Sequence, residues 1–288
     1  MNNTLPVNYS TEAMSDKNFL RFSEFIHEEY GIKMPSSKRT MLQARLQKRL
    51  LKLGMGSFTE YCDYVFSPVG VREELSHMVD VVTTNKTDFF REPAHFDYMT
   101  QTVLPQLVNA NGSGIRRRLS VWSSGCSTGE EPYTLAMVLR EFVEECPGFH
   151  FSIIATDISN IVLEKASLGI YERDKVDPVP IDLKRKYLLR SKKRDEDLVR
   201  IVPELRGLVQ FRRLNLMDHD FNMRNPKDII FCRNVIIYFD QPTQKRLVNQ
   251  LCRYLRPGGY LFLGHSETLN GLDAPLTPVA PTVYRKLK

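Results

Sequence analysis

Leu119-Ser-Val-Trp-Ser-Ser-Gly-Cys-Ser-Thr-Gly-Glu-Glu-Pro-Tyr133 decides the reading of this chain. Leu119 to Ser123 is a short β run. Small, turn-forming residues follow, and a helix begins near Glu131 and runs to Cys146. A strand that empties through a small-residue loop into a helix is where doubly wound α/β folds bind nucleotides. Gly125 and Gly129 permit close backbone approach to a ligand. The GxGxxG fingerprint of dinucleotide sites is absent, and so is a Walker A lysine. Glu130 and Glu131 at the helix start repel phosphate and attract a cation, such as the amino group of a methionine moiety. A plain βα turn with a capping acid is the competing reading of the same residues.

Downstream, Phe151 to Thr156 is a second β run that ends in Asp157. A carboxylate there suits a ribose diol, because it accepts two hydroxyl hydrogen bonds. An Asp at a strand end also serves as an N-cap, here for a helix from Ser159 to Gly169. Loop and carboxylate together point to an adenosine-containing ligand without pyrophosphate, a description that S-adenosylmethionine fits. Val209 to Asn215 and Asp228 to Cys232 are further strands. Asn215 and Leu216 either offer an amide and an apolar side to adenine or simply turn the chain. An amphipathic helix from Gln241 to Leu255, a Pro257-Gly-Gly259 turn, and strands Tyr260 to Gly264 and Val283 to Leu287 complete the pattern. Strands alternating with helices predict a parallel sheet covered on both faces. The alternation is interrupted between Tyr171 and Gly207. Two short apolar ends around the charged stretch Ser191 to Asp197 predict a β hairpin, and so an inserted β-subdomain over residues 172–207.

Upstream, the grammar is helical. Phe19, Phe22, Phe25 and Ile26 recur at helix spacing, with Asp16 as the expected cap. A second helix runs from Ser36 or Ser37 to Leu53 and is closed by Gly54. A third starts near Ser57, and a fourth spans Val71 to Val82. Leu42, Leu46, Leu50 and Leu53 are expected to be buried. Arg45, Lys48, Arg49 and Lys52 fall on a separate face of the same helix. The organisation expected is thus a disordered 1–15, a helical domain 16–85, and an α/β domain 86–288 carrying the insertion.

The 288 residues are 42% hydrophobic and 26% charged, an ordinary globular composition. No stretch reaches the ~18 apolar residues of a spanning helix, and residues 1–15 lack the apolar core of a secretory signal. The five cysteines (Cys62, Cys126, Cys146, Cys232, Cys252) are odd in number and scattered, which signals neither disulfides nor zinc and fits a reducing cytoplasm. The six histidines show no ligand spacing, so no metal is expected. A net charge of +6 is compatible with nucleic acid, a membrane surface, an acidic protein partner or a plain basic surface.

Five segments resemble, in order, the chemotaxis receptor methyltransferases. They are Thr83-Thr-Asn-Lys-Thr-Asp-Phe-Phe-Arg-Glu92, Ser127-Thr-Gly-Glu-Glu-Pro-Tyr133, Ala155-Thr-Asp-Ile158, Phe231-Cys-Arg-Asn-Val-Ile-Ile-Tyr-Phe239 and Gly258-Gly-Tyr-Leu-Phe-Leu-Gly-His-Ser-Glu267. The resemblance runs from about residue 16 to the C-terminus. It implies a Rossmann-like methyltransferase domain behind an all-helical N-terminal domain, with a small inserted antiparallel β-subdomain. It implies S-adenosylmethionine as cofactor and S-adenosylhomocysteine as product. Asn85, Thr87 and Arg91 then lie in a segment reaching over the cofactor. Glu131, with Glu130 beside it, meets the methionine end, and Asp157 binds the ribose. Asn215 and Leu216 form the adenine pocket, while Arg233 and Asn234 contact the cofactor after the fourth strand. Tyr238 faces the reaction.

On this resemblance the reaction is methyl transfer to glutamate side chains in the cytoplasmic helical bundle of a chemoreceptor. Arg91 and Tyr238 are the expected catalytic pair, Arg91 gripping a carboxylate and Tyr238 standing beside the sulfonium. The Arg45, Lys48, Arg49 and Lys52 stripe would steer an acidic receptor helix. A receptor C-terminal peptide could tether to the β-subdomain. The Val235–Ile237 run reads as core and His265 as structural. A monomer is expected, with no membrane insertion. A nucleic-acid methyltransferase lacks its Asp/Asn-Pro-Pro-Tyr/Phe motif here, a non-catalytic cofactor-binding module conflicts with Arg91, Asp157 and Tyr238, and a nicotinamide dehydrogenase lacks its fingerprint.

Overall fold

The computed structural model describes residues 13–193 and 196–287. The chain forms two compact units, Met1–Thr84 and Asn85–Lys288.

Among its described residues the first unit has α-helices and no strand: Asp16–Tyr30, Arg39–Leu53, Phe58–Val65, Pro68–Glu73 and Leu75–Val82. Ser15, not Asp16, caps the first helix, its hydroxyl accepting the Asn18 N–H at 3.2 Å. Met14 is fully buried, so the expected disordered start does not extend to residues 14 and 15; residues 1–12 lie outside the described residues. The expected fourth helix is two, broken at Glu74.

That break has a consequence for the basic stripe. Glu74 is buried, and Arg49 meets it through two parallel bonds, Nε to Oε1 at 2.7 Å and Nη2 to Oε2 at 2.6 Å. Tyr61 donates its hydroxyl to the same carboxylate at 2.9 Å. Arg49 is 8% exposed and is therefore a core ion pair rather than a docking residue. Arg45 donates to the Val82 and Thr83 carbonyls at 2.6 and 2.9 Å and so closes the end of the Leu75–Val82 helix. Lys48 and Lys52 remain exposed. Leu53 is also exposed at 37%, against expectation, because the packed face of its helix ends at Leu50. Removing one partner of a buried pair costs about 3–5 kcal/mol. Arg49→Met is therefore expected to lower thermal stability sharply in a calorimetric melt, whereas Lys48→Ala should stay within about 0.5 kcal/mol of the parent.

Among its described residues the second unit holds ten strands: β1 Leu119–Ser124, β2 Phe151–Asp157, β3 Ile170–Glu172, β4 Leu188–Arg190, β5 Leu198–Ile201, β6 Val209–Arg213, β7 Lys227–Cys232, β8 Leu255–Leu263, β9 Leu276–Ala280 and β10 Val283–Lys286. Seven form one sheet in the order β6-β2-β1-β7-β8-β10-β9. The first five are mutually parallel, and β10 is antiparallel to both its neighbours. Parallel strands are covered on both faces and read as apolar runs, and every residue of β7 is buried. The Glu130–Glu145, Asn160–Leu168 and Gln241–Tyr254 helices follow β1, β2 and β7. A small antiparallel sheet, β3-β5-β4, interrupts the crossover between β2 and β6. Of the charged stretch Ser191 to Asp197 expected between the two short strands, residues 194 and 195 lie outside the described residues. The Pro257–Gly259 stretch does not end a strand; β8 runs through it, with an irregular register against β7. Of the Val235–Ile237 run, expected as core, only Ile236 is buried. The strand stops at Cys232, Ile236–Tyr238 is a single 3-10 turn, and Ile237 is 46% exposed. Among the described residues, no helix is long and apolar enough to cross a membrane.

Candidate functional site

Strand order reverses at β1, with β2 on one side and β7 on the other. Beyond the carboxyl ends of such strands lies the crevice where open α/β sheets bind ligands. Three loops meet here. The loop after β1 folds back on β2: the Gly125 and Cys126 N–H groups both donate to the Thr156 carbonyl, at 2.8 and 2.9 Å. Gly125 has φ +74°, and a Cβ there would lie 2.5 Å from Val235 Cγ2. Gly129, at φ +100°, would press a Cβ within 2.9 Å of Ala166 and the Tyr171 hydroxyl. The two glycines thus let the loop close against its neighbours in a conformation that side chains rarely adopt.

Asp157 points into this loop. Its Oδ2 accepts the Ser127 N–H at 2.9 Å, and its Oδ1 accepts the Ser159 N–H at 3.0 Å. Ser127 itself has φ +49° and donates its hydroxyl to the Asn85 carbonyl at 2.7 Å. One short chain of bonds therefore joins the β2 carboxylate, the β1 loop and the start of the Asn85–Glu92 segment.

That segment is strained and fastened. Phe90 and Glu92 both have left-handed backbone, φ +53° and +57°, which is costly for residues other than glycine. The Phe90 N–H is held by Thr134 Oγ1 at 3.1 Å. The Arg91 carbonyl is held by Arg233 Nη2. The Arg91 guanidinium donates from Nη1 to the Lys86 carbonyl at 3.2 Å and is half-buried, so it belongs to this segment's own turn.

Arg233 is the brace of the site. It is 6% exposed; Nη1 donates to Glu131 Oε2 at 3.2 Å and Nη2 to Glu92 Oε2 at 2.9 Å. Ser123 donates to the other Glu131 oxygen at 2.7 Å. Burial raises the Glu131 carboxyl despite Arg233. Burial pushes Glu92 up as well, but the hydrogen bond and charge of Arg233 outweigh it and leave Glu92 below the usual carboxylate range. Glu130 is also raised by burial and accepts the Thr128 hydroxyl at 2.7 Å. The Arg233 side chain, expected at the cofactor, is committed at both terminal nitrogens to protein acceptors. Asn234 follows at φ +58° and is shaped by Glu267, which accepts the N–H groups of Gly264, Asn234, Val235 and Ile237 at 2.6, 2.9, 2.8 and 3.3 Å.

The remaining expected residues fall around the same edge. Asn215 follows β6, and its Oδ1 accepts the Met217 N–H at 3.0 Å, so the amide makes the turn that the alternative reading described. Leu216 and Thr87 are half-buried. Tyr238 closes the 3-10 turn after β7 and is half-buried. Sequence reading missed Glu92, Ser123, Ser127 and Glu267 as site builders. Glu92 and Glu267 stood inside quoted motifs, but only the fold supplies the N–H groups and the arginine that define their parts.

The donor set suits a cationic adenosyl ligand. Asp157, Glu131 and Glu92 concentrate carboxylates at the crevice, which disfavours polyphosphate and favours a sulfonium or ammonium.

Comparison with known proteins agrees. Residues 85–284 match the family model described as "CheR methyltransferase, SAM binding domain", and residues 17–83 match "CheR methyltransferase, all-alpha domain". A "Chemotaxis protein methyltransferase" of Borreliella burgdorferi is 37% identical over 98% of this chain and 96% of its own length. The Escherichia coli protein of that name is 38% identical over 94% of this chain and 91% of its own. "Chemotaxis protein methyltransferase 2" of Pseudomonas aeruginosa is 38% identical over 93% and 92%.

Proposed function

The chain belongs to the CheR methyltransferase family, and from that premise we propose that it forms methyl esters on glutamate side chains of chemoreceptors. It is an S-adenosylmethionine-dependent methyltransferase of chemotactic adaptation. When bound, the cofactor supplies an electrophilic methyl on a sulfonium. A receptor glutamate has a pKa of about 4.3 and is ionised at neutral pH, so the protein needs no general base. Its contribution is alignment, which is worth roughly 7–11 kcal/mol when the reacting atoms are held in line.

The observation that carries this reading is the junction of Asp157 with Ser127 at the strand-order switch, with the Glu131–Arg233–Glu92 ladder beside it. Asp157 takes the ribose, and Glu131 with Glu130 faces the amino group. Asn215 and Leu216 flank adenine. Asn85 and Thr87 belong to the covering segment. Arg91 turns from the Lys86 carbonyl to a carboxylate of substrate or cofactor. Tyr238 stands at the methyl, and Asn234 lines the floor. The protein works as a cytoplasmic monomer.

The test is to offer cofactor carrying a tritiated methyl to receptor cytoplasmic fragments, to DNA and RNA, and to buffer. Base-labile label on a receptor glutamate supports the reading. Label on nucleic acid alone rejects it.

Docking onto acidic receptor helices then falls to Lys48 and Lys52, the exposed cations of the former stripe. Rim charges act on encounter rate and are screened by salt. Reversing both lysines to glutamate is expected to raise KM for the receptor about five- to tenfold with kcat unchanged, roughly 1 kcal/mol at low salt. The gap should close at high salt. An unchanged KM at low salt would remove these lysines from the interface.

A further inference from the structure

The fold brings Glu92, His95 and His265 together at the ends of the covering segment and of β8. One ligating atom from each lies within 4.8 Å of the others. His95 Nδ1 is 3.5 Å from Glu92 Oε2, and His265 Nε2 is 3.9 Å from that same oxygen.

His95 packs against Thr282. Thr282 donates its hydroxyl proton to the Pro281 carbonyl at 2.8 Å. The same oxygen lies 2.9 Å from His95 Nε2. With the ring proton on Nε2, facing that oxygen, Nδ1 presents a lone pair. His95 is 3% exposed, and Nδ1 has no hydrogen-bond partner. In that tautomer a buried acceptor faces the Glu92 carboxylate oxygen 3.5 Å away. Such an orphan calls for an explanation, and a cation between the two lone pairs supplies one.

We propose that Glu92, His95 and His265 form a binding site for a divalent transition-metal ion of the zinc type. Two imidazoles and one carboxylate select borderline ions such as Zn2+, Co2+ or Ni2+ over Mg2+ and Ca2+. Bonds of about 2.1 Å in tetrahedral geometry put ligand atoms roughly 3.4 Å apart. The His95–Glu92 pair already stands near that spacing. His265, whose side chain is 54% exposed, needs only a small swing to complete the set. The Thr282 hydroxyl orients the His95 ring, as outer partners of metal-bound histidines do. Arg233 shares Glu92 and opposes the ion with its charge, while Glu131 offsets that charge from the other side. An ion here would fasten Glu92, and with it the neighbouring Arg91, to the loop after β8. It would also compete with Arg233 for Glu92.

The experiment uses the full chain, stripped of metal and free of cofactor, titrated with Co2+ and read by visible absorption. One equivalent of Co2+ with ligand-field bands, displaced by Zn2+ and not by Mg2+, is expected. His265→Ala, at an exposed position, should weaken binding at least tenfold without changing the metal-free melting temperature. His219→Ala, another exposed histidine, should leave binding unchanged. Failure of the parent protein to bind an equivalent, or equal binding by His265→Ala, overturns the proposal.

Discussion

Asp157→Asn is expected to weaken binding of S-adenosylhomocysteine about 100- to 1000-fold. Both carboxylate oxygens accept a backbone N–H, from Ser127 and from Ser159. An asparagine has one oxygen. Its NH2 group must face one of those donors, and a buried donor left without an acceptor costs about 1–3 kcal/mol. The ribose hydroxyls lose a charged acceptor as well, and hydrogen bonds to charged groups are worth about 1.5–3 kcal/mol. The two losses fall on the same step, because the loop that Ser127 anchors is the one that receives the ligand. Titration calorimetry measures the affinity, with circular dichroism verifying that the variant is folded at the working temperature. An affinity within threefold of the parent would mean that the carboxylate serves the turn alone.

Arg233→Met is expected to damage both the fold and the reaction. Methionine keeps much of the volume but leaves Glu131 and Glu92 without their shared cation. Breaking a buried ion pair from one side costs about 3–5 kcal/mol, and Arg233 also lies over the Phe96 and Phe231 rings at 5.5 and 5.9 Å. The pH dependence gives the loss a sign. Arg233 holds Glu92 below the usual carboxylate range. That depressed pKa contributes stability above the unfolded value and loses it as pH falls through the folded one. In the variant the contribution is absent, and both buried carboxyls are relieved by protonation. The melting-temperature gap between parent and variant should therefore be widest near neutral pH. It should narrow as pH drops toward about 4, where carboxyls protonate. A gap independent of pH would show that Arg233 contributes packing and not charge. Since the same side chain holds the Arg91 carbonyl, kcat/KM should fall with stability. The drop should persist at temperatures where the variant is folded.

What the chain discloses in its letters is what depends on neighbours in sequence. The strand, small-residue loop and helix at Leu119–Glu145 are a local pattern, and so is the carboxylate closing the next strand. Both were legible. Contacts set by the fold were not. A helical wheel puts Arg49 with Lys48 and Lys52, but it cannot see Glu74 arriving 25 residues later to bury it. Val235–Ile237 is apolar enough to read as core, yet Glu267 gathers three N–H groups from this turn, and Ile237 is left exposed. Strand β9 escaped notice because it contains Pro278 and lies at the sheet edge, where proline is tolerated. Glu92, His95 and His265 look scattered in sequence. They become neighbours only when β8 returns beside β7.

The most direct test is a structure of the protein with S-adenosylhomocysteine bound. The ribose hydroxyls are expected on Asp157, the amino end toward Glu131, and the sulfur opening toward Tyr238 and Arg91. A ligand seated elsewhere, or bound in this crevice without touching Asp157, would contradict the account.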